Sequence, residues 1–313
     1  MNGPLTASVS VDLDNLWAYL KTHGDADWER MPSFLPTAVP RLLDVLGEHG
    51  VTATAFAVGA DAVRDDGAAA VAAFAARGHE IGNHSYHHEP WLHRYSRAEL
   101  VDELTRTEEA VVAAGAPVPV GFRGPGYSVS PTLLEVLAER GYRYDASTLP
   151  TWIGPIARAV HNRTAPASDE RAELFGGFSR VFAPNTAHRP RVGDGLVELP
   201  VTTMPLLRVP IHGAYALMLY RISPRLARGY VGTALRLCRA FGVGPSLLVH
   251  PTDVLGPGEA PGMEFFPGMD VPAADKVALL AWTLAAARAR FDVVGTGAHA
   301  ARVTVPPRLR ENR

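Results

Sequence analysis

The sequence predicts an α/β fold in which a parallel sheet is wrapped by helices, and three observations lead there. Short β-type runs alternate with helical patterns along most of the chain, the order that sets sequential strands side by side with crossover helices between them. Five glycines, Gly50, Gly78, Gly115, Gly141 and Gly242, each stand just past a helical run, where a left-handed terminus favours a residue without a Cβ. A chain of 313 residues, 47% apolar and 20% charged, can bury a sizeable core, as one large α/β barrel or as two modest domains.

Taken in order, the expected strands are 7–11, 53–58, 80–84, 118–122, 142–146, 196–201, 246–250 and 292–294. Between them the helical patterns cover 36–49, 60–77, 96–114, 131–140, 224–241 and 273–290. Ser96 with Glu99 makes a capping-box pattern, and Ser130 before Pro131 places a cap ahead of a proline at the first helical position. The alternation lapses between about 152 and 195, where Pro, Gly, Arg and Asn are frequent and no period persists. The basic residues there, Arg158, His161, Arg163, Arg171, Arg180, His188, Arg189 and Arg191, suit a solvated insertion better than a lid over an anionic or saccharide ligand. We therefore expect one domain over 1–300 that carries this insertion, followed by a tail over 301–313.

A net charge of −2 provides no broad field for nucleic acid or an anionic membrane. Positive charge is carried almost wholly by arginine, since Lys21 and Lys276 are the only lysines. The single cysteine, Cys238, excludes an internal disulfide framework and sits in an apolar run that suits a buried helix position. The first residues lack a cationic segment followed by a long apolar core, and the run 277–287 is too short to span a bilayer. The expectation is a cytoplasmic protein with no integral membrane segment and no nucleic-acid partner; a homo-oligomer is compatible with the sequence.

Chemistry concentrates in five places. In Gly82-Asn83-His84-Ser85-Tyr86-His87-His88 two imidazoles four positions apart, His84 and His88, can reach one metal ion, as they do on a helical turn. A polar, partly exposed turn explains such a pair about as well. In Ser10-Val11-Asp12-Leu13-Asp14 two carboxylates at i and i+2 share one side of an extended strand. Such a pair repels itself unless a cation or strong donor neutralises one member. Gly121-Phe122-Arg123-Gly124-Pro125-Gly126-Tyr127-Ser128 offers backbone amides beside an arginine that can hold a carboxylate, or is an ordinary turn. Asp145 ends a strand pattern, as a site carboxylate or a cap, and His250 ends the apolar strand Leu247-Leu248-Val249 before Pro251.

Asp12-Leu13-Asp14-Asn15-Leu16 also looks like the opening of a haloacid-dehalogenase phosphatase. That family needs a hydroxyl where Leu16 stands and a mid-chain lysine, which this sequence lacks. In their order, the five clusters resemble the polysaccharide deacetylases of the NodB-homology group, carbohydrate esterase family four. Asp12-Leu13-Asp14 looks like the paired-aspartate motif and His84-Ser85-x-x-His88 like the histidine motif. Arg123-Gly124-Pro125-Gly126 and Leu247-x-x-His250 resemble the arginine and final histidine motifs, and the likeness runs over roughly 7–300. Leu13 between the aspartates resembles the intracellular branch, Gly126 stands where many members have tyrosine, and the fourth motif is matched only loosely, by Asp145 and Trp152.

This resemblance implies a distorted (β/α) barrel of seven or eight strands, a NodB-like deacetylase domain. It implies that Asp14, His84 and His88 bind a divalent metal, zinc first, with cobalt, nickel or manganese able to use the same ligands. Asp12 would be the general base, held by Arg123, with the Gly126 amide as oxyanion donor and His250 the general acid tuned by Asp145. Tyr127, Trp152 and Leu247 would border the substrate. The expected activity is N-deacetylation of an aminosugar or a related small-molecule, saccharide or lipid-linked substrate. The alternatives are a deformylase, a cyclic-amide hydrolase or a tailoring deacetylase of secondary metabolism, and from another class a carbohydrate-binding barrel without catalysis.

Overall fold

A computed structural model describes residues 4–153 and 183–303. Most of the expected 152–195 insertion, with Arg158, His161, Arg163, Arg171 and Arg180, lies outside the described residues, as does nearly all of the expected tail.

All eight expected strands form, most of them shorter than expected: β1 (Thr6–Asp12), β2 (Thr54–Ala57), β3 (Glu80–Asn83), β4 (Gly121–Phe122), β5 (Tyr144–Asp145), β6 (Val197–Glu198), β7 (Ser246–Val249) and β8 (Asp292–Val294). They make one parallel sheet in the order β6-β5-β4-β3-β2-β1-β7, with β8 paired to the start of β1. The sheet curls until its ends meet. The Thr202 amide donates to the Ser246 carbonyl at 3.1 Å, and the Ser246 amide to Thr202 Oγ1 at 2.7 Å. The result is the NodB-like barrel that the resemblance implied, distorted and closed by one backbone and one side-chain hydrogen bond rather than by a regular strand pair.

The two-residue strand period sorts the barrel's faces. Ala7, Val9 and Val11 of β1, with Ala53, Ala55, Ala57, Ile81, Leu247 and Val249, join the main apolar core against the helices. Ser8, Ser10 and Asp12 take the alternate positions, and the interior they line holds the buried Phe56, Arg123 and Tyr144. Two glycines make room for these side chains: a Cβ on Gly82 would stand 2.4 Å from the Phe56 ring, and one on Gly121 2.0 Å from the Tyr144 ring. At the lower end Glu80 ties four elements together, accepting from Thr54 Oγ1 at 2.6 Å, the Gly297 amide at 2.9 Å and the Tyr144 hydroxyl at 3.1 Å.

The helices follow their expected punctuation. Gly50, Gly78, Gly115, Gly141 and Gly242 all take the left-handed conformation, with φ between 55° and 91°. The Ser96 capping box forms on Arg97–Ala113, and Ser130 caps Pro131–Glu139 through the Leu133 amide. The helix expected over 60–77 is two, Gly59–Ala62 and Asp65–Ala76, because Arg64 is extended at φ −103°, ψ 151° and starts the second. Three short helices, Leu16–His23, Gly213–Tyr220 and Thr296–Arg302, were not foreseen, since seven or eight residues carry too little period to read. Cys238 is buried in Pro224–Ala240, and burial pushes its thiol up to about 12. Among the described residues no helix is long and apolar enough to cross a membrane.

Gly121→Ala is expected to cost about 1–3 kcal/mol, the range for over-packing a filled interior. Urea unfolding measures it; an unchanged midpoint would mean that the Tyr144 ring has room the packing does not indicate.

Candidate metal centre and its cleft

The candidate site forms at one end of the sheet, just past β1, β3, β4 and β7. Asp12 is the last residue of β1, and the Leu13 amide still follows the sheet by donating to the Phe56 carbonyl at 3.0 Å. Asp14 lies in the turn beyond, before Asn15 caps the helix Leu16–His23 through the Leu16 amide at 2.8 Å. The i, i+2 reading therefore brings the two carboxylates together, although only Asp12 is on the strand.

His84 follows β3, its amide bonded to the Ala57 carbonyl at 2.9 Å. The path from His84 to His88 is not the helical turn that the spacing suggested. Ser85 and His88 take positive φ values of 60° and 53°, so the pair is set by an irregular loop. That loop is tied to Arg97–Ala113 by Glu103, whose carboxylate accepts from the amides of Tyr86 at 2.7 Å and His87 at 3.0 Å and pairs with His87 Nδ1 at 2.5 Å. Burial works to raise the Glu103 carboxyl, but these hydrogen bonds outweigh it and hold it below its usual value. The sequence reading passed over Glu103. Its signal was a carboxylate on the buried helix face that Leu100, Leu104 and Thr107 also line.

The ligand atoms converge. Asp14 Oδ1 lies 3.1 Å from His84 Nε2 and 3.0 Å from His88 Nε2, and one ligand atom from each residue falls within 4.8 Å of the others. His84 Nδ1 stands 2.6 Å from the Arg123 carbonyl, to which it donates, so the neutral ring turns an unprotonated Nε2 toward Asp14. Two imidazole nitrogens on one buried carboxylate oxygen make a donor set that suits a divalent cation. Burial works to raise the Asp14 carboxyl, but His88 and His84 together hold it well below the usual carboxylate range. Burial likewise opposes charge on His84, yet Asp12 and Asp14 raise its value.

Arg123, directly after β4, is fully buried. Its Nη1 donates to Asp12 Oδ1 at 3.3 Å and its Nη2 to Ser10 Oγ at 3.2 Å, with the guanidinium 4.8 Å from the Phe56 ring centre. Asp12 Oδ2 is left 3.9 Å from His84 Nε2. His250, just past β7, brings its Nε2 to 3.8 Å from Asp14 Oδ2, and its amide is held by Asp253 Oδ2 at 2.9 Å. Gly126 takes φ 58° and ψ 23°, where a Cβ would come within 2.8 Å of Pro90. The neighbouring amides of Tyr127 and Ser128 close that turn, while the Gly126 amide finds no acceptor among the described residues. Tyr127, also at positive φ, has its phenol pushed well up by burial and by the charge of Asp12, which marks it as part of the same cleft.

Three expected residues stand elsewhere. Asp145 does not adjoin His250. It is the register partner of Glu198 on the next strand, accepts from Ser147 Oγ at 2.5 Å, and both acids are fully buried. Burial raises both, Glu198 well above its usual value, while hydrogen bonds from Glu198 and Ser147 draw Asp145 part of the way back, so this acid is occupied with its strand neighbour. Leu247 points the opposite way, into the core beside Val9, and only its carbonyl turns inward, accepting from Ser10 Oγ at 3.4 Å. Trp152 is 44% exposed and its indole donates to the Leu207 carbonyl at 2.7 Å, with no contact to the ligand set among the described residues. Conversely His212, which the motifs did not flag, lies beside His250 with ring centres 5.0 Å apart.

Residues 25–144 match the family model for polysaccharide deacetylases. Over 86 residues, 26% of this chain, the sequence is 35% identical to a bifunctional xylanase/xylan deacetylase of Cellvibrio japonicus, of which it covers 13%. Over 125 residues, 39% of this chain, it is 30% identical to a peptidoglycan-N-acetylglucosamine deacetylase of Bacillus cereus, of which it covers 44%. The chain thus spans less than half the length of these curated relatives. A crystal structure of a provisionally assigned polysaccharide deacetylase from Mycobacterium smegmatis shares the fold with a TM-score of 0.62 and 23% identity, over 100% of this chain and 96% of that one. PuuE allantoinase shares it at 0.57 and 13%, over 95% and 89%.

The two opposed shifts fix how the metal-free protein should respond to pH. The raised His84 contributes stability that is full below its ordinary 6.5 and is lost as pH rises through its folded value. The depressed Asp14 contributes stability present above its ordinary 3.8 and lost as pH falls through its folded value. Melting temperatures in chelator are expected to fall as pH climbs above 6.5, and His84→Gln should flatten that limb; an equal slope in both proteins would sink this account.

Proposed function

We propose, for a chain whose residues 25–144 match the polysaccharide deacetylase family model, a metal-dependent N-deacetylase that hydrolyses an acetamido group on an aminosugar or a related soluble or lipid-linked compound. The observation that carries this reading is the meeting, at one end of one sheet, of Asp14, His84 and His88 with the Asp12–Arg123 pair and His250. The relatives named for xylan and for peptidoglycan N-acetylglucosamine support an acetylated saccharide, and the second supports attachment through nitrogen.

Asp14, His84 and His88 would hold the cation, zinc being the first choice for a mixed imidazole and carboxylate set, with cobalt, nickel or manganese as substitutes. When bound, such a cation supplies Lewis acidity to the amide carbonyl and acidifies water. Asp12 Oδ2, the oxygen that Arg123 leaves open, takes a proton from the attacking water while Arg123 fixes the carboxylate's orientation. The Gly126 amide donates to the oxygen on which negative charge develops. His250 Nε2 gives a proton to the leaving nitrogen as the carbon–nitrogen bond breaks, and the products are an amine and acetate. Tyr127 would border the bound substrate.

Three measurements test this reading. Purified protein is expected to hold about one divalent ion per chain by elemental analysis and His84→Ala to lose most of it; equal contents would remove His84 from the ligand set. Asp12→Asn should keep its metal and lose roughly a hundredfold or more in kcat, as the loss of a general base does. Amine release from N-acetylated and N-formylated sugars, set beside ring opening of cyclic amides, separates the deacetylase from the deformylase and cyclic-amide alternatives, and activity on none of them would end the amidase reading.

A further inference from the structure

His212 is the feature of the cleft that the chemistry above leaves unused. It reaches β7 through an isolated parallel bridge to Leu248, two positions before His250, and its ring lies against that of His250 at 5.0 Å between centres and a 42° tilt. The next residue fixes the placement: a Cβ on Gly213 would come within 2.4 Å of Asp253 Oδ1, and Asp253 is the residue that holds the His250 amide. The two imidazoles are thus registered to each other through one carboxylate. On its other side the ring meets Tyr215 edge-on, with centres 6.2 Å apart.

One nitrogen of this ring is already committed. His212 Nδ1 accepts from the Ala214 amide at 3.1 Å and caps the helix Gly213–Tyr220. A nitrogen that accepts from a backbone amide carries no proton, so the proton of the neutral ring belongs to Nε2. Burial, then the neighbouring His250, push the imidazole down to about 3, which keeps the ring neutral at any ordinary pH. The side chain is only half-buried, and Nε2 meets no acceptor among the described residues. His212, beside His250, can therefore only offer one hydrogen bond.

Resting on the amidase reading of the cleft, the geometry points to His212 as a fixed Nε2–H donor that takes a hydroxyl oxygen of the substrate's sugar ring beside the scissile amide. It is a specificity-determining residue: it favours a hydroxylated acetamido compound over a bare amide, and it opposes a substrate that presents an ammonium group there, donor against donor.

Two substitutions separate this role from capping. His212→Asn keeps an acceptor for the Ala214 amide and shortens the side chain away from the cleft, whereas His212→Gln reaches the Nε2 position with an N–H and gives up the cap. With di-N-acetylchitobiose as the hydroxylated probe and 4-nitroacetanilide as the bare one, His212→Asn is expected to raise KM for the sugar about tenfold, the worth of one neutral hydrogen bond. The preference in kcat/KM for sugar over anilide should fall by about the same factor and recover in His212→Gln. An unchanged preference in His212→Asn with a lowered melting temperature in His212→Gln would make His212 a cap alone and overturn the proposal. If the wild type hydrolyses neither probe, that failure bears on the substrate reading of the cleft, and the donor is judged separately by long-range 1H–15N spectra. A proton on Nε2 whose signal shifts on addition of N-acetylglucosamine supports it; a proton on Nδ1, or no shift, overturns it.

Discussion

The site depends on one buried guanidinium. Arg123, directly after β4, ties together groups from two further strands: its side chain holds Asp12 and Ser10 of β1, its amide donates to the Asn83 carbonyl of β3 at 3.0 Å, and its carbonyl fixes the tautomer of His84, just past β3. A fully buried charge is expensive unless it is paired. Asp12 supplies the counter-charge, paired with the guanidinium at 3.3 Å inside the barrel. Base, ligand and barrel interior are therefore parts of a single electrostatic arrangement, and moving the arginine would disturb all three.

That arrangement explains why this parallel sheet departs from the usual apolar lining. Sheets of this kind ordinarily bury hydrophobic side chains on both faces. Here the outer face does so, through Val9, Val11, Ile81 and Leu247, while the inner face carries Ser8, Ser10, Thr54, Glu80 and Arg123. Each inner polar group has a partner: Ser8 Oγ meets His299 Nδ1 at 3.0 Å, Thr54 meets Glu80, Ser10 meets Arg123. Phe56 and Tyr144 fill the remaining space, admitted by glycines on the neighbouring strands. The polar interior ends at the cleft, so the chemistry continues the barrel's lining outward.

The ligand loop shows how precision is obtained without regular structure. Two non-glycine residues at positive φ are unfavourable in isolation and persist because their surroundings over-determine them. Glu103 from one side and Asn83, whose Oδ1 takes the Ser85 amide at 2.8 Å, from the other satisfy the backbone that the turn leaves open. Trp17 then closes on His88 edge-on, its indole held by Asp61 at 2.8 Å. Asp61 is itself buried, and that burial lifts its carboxyl to about 6.

The sequence by itself determined the alternation of strands and helices, the glycine termini, and the pairs Asp12 with Asp14 and His84 with His88, because each is carried by residues a few positions apart. The same two-residue period could have set Leu247 apart from the inward face. What tertiary structure alone decided is which distant groups meet: Glu103 beneath the ligand loop, Glu198 beside Asp145, and His212 beside His250. Those meetings follow from strand register and from how far the sheet curls, and both are set by the packing of Phe56, Tyr144 and Arg123 inside the barrel. No local pattern encodes them, since the energy that fixes each one is shared among side chains scattered along the whole chain.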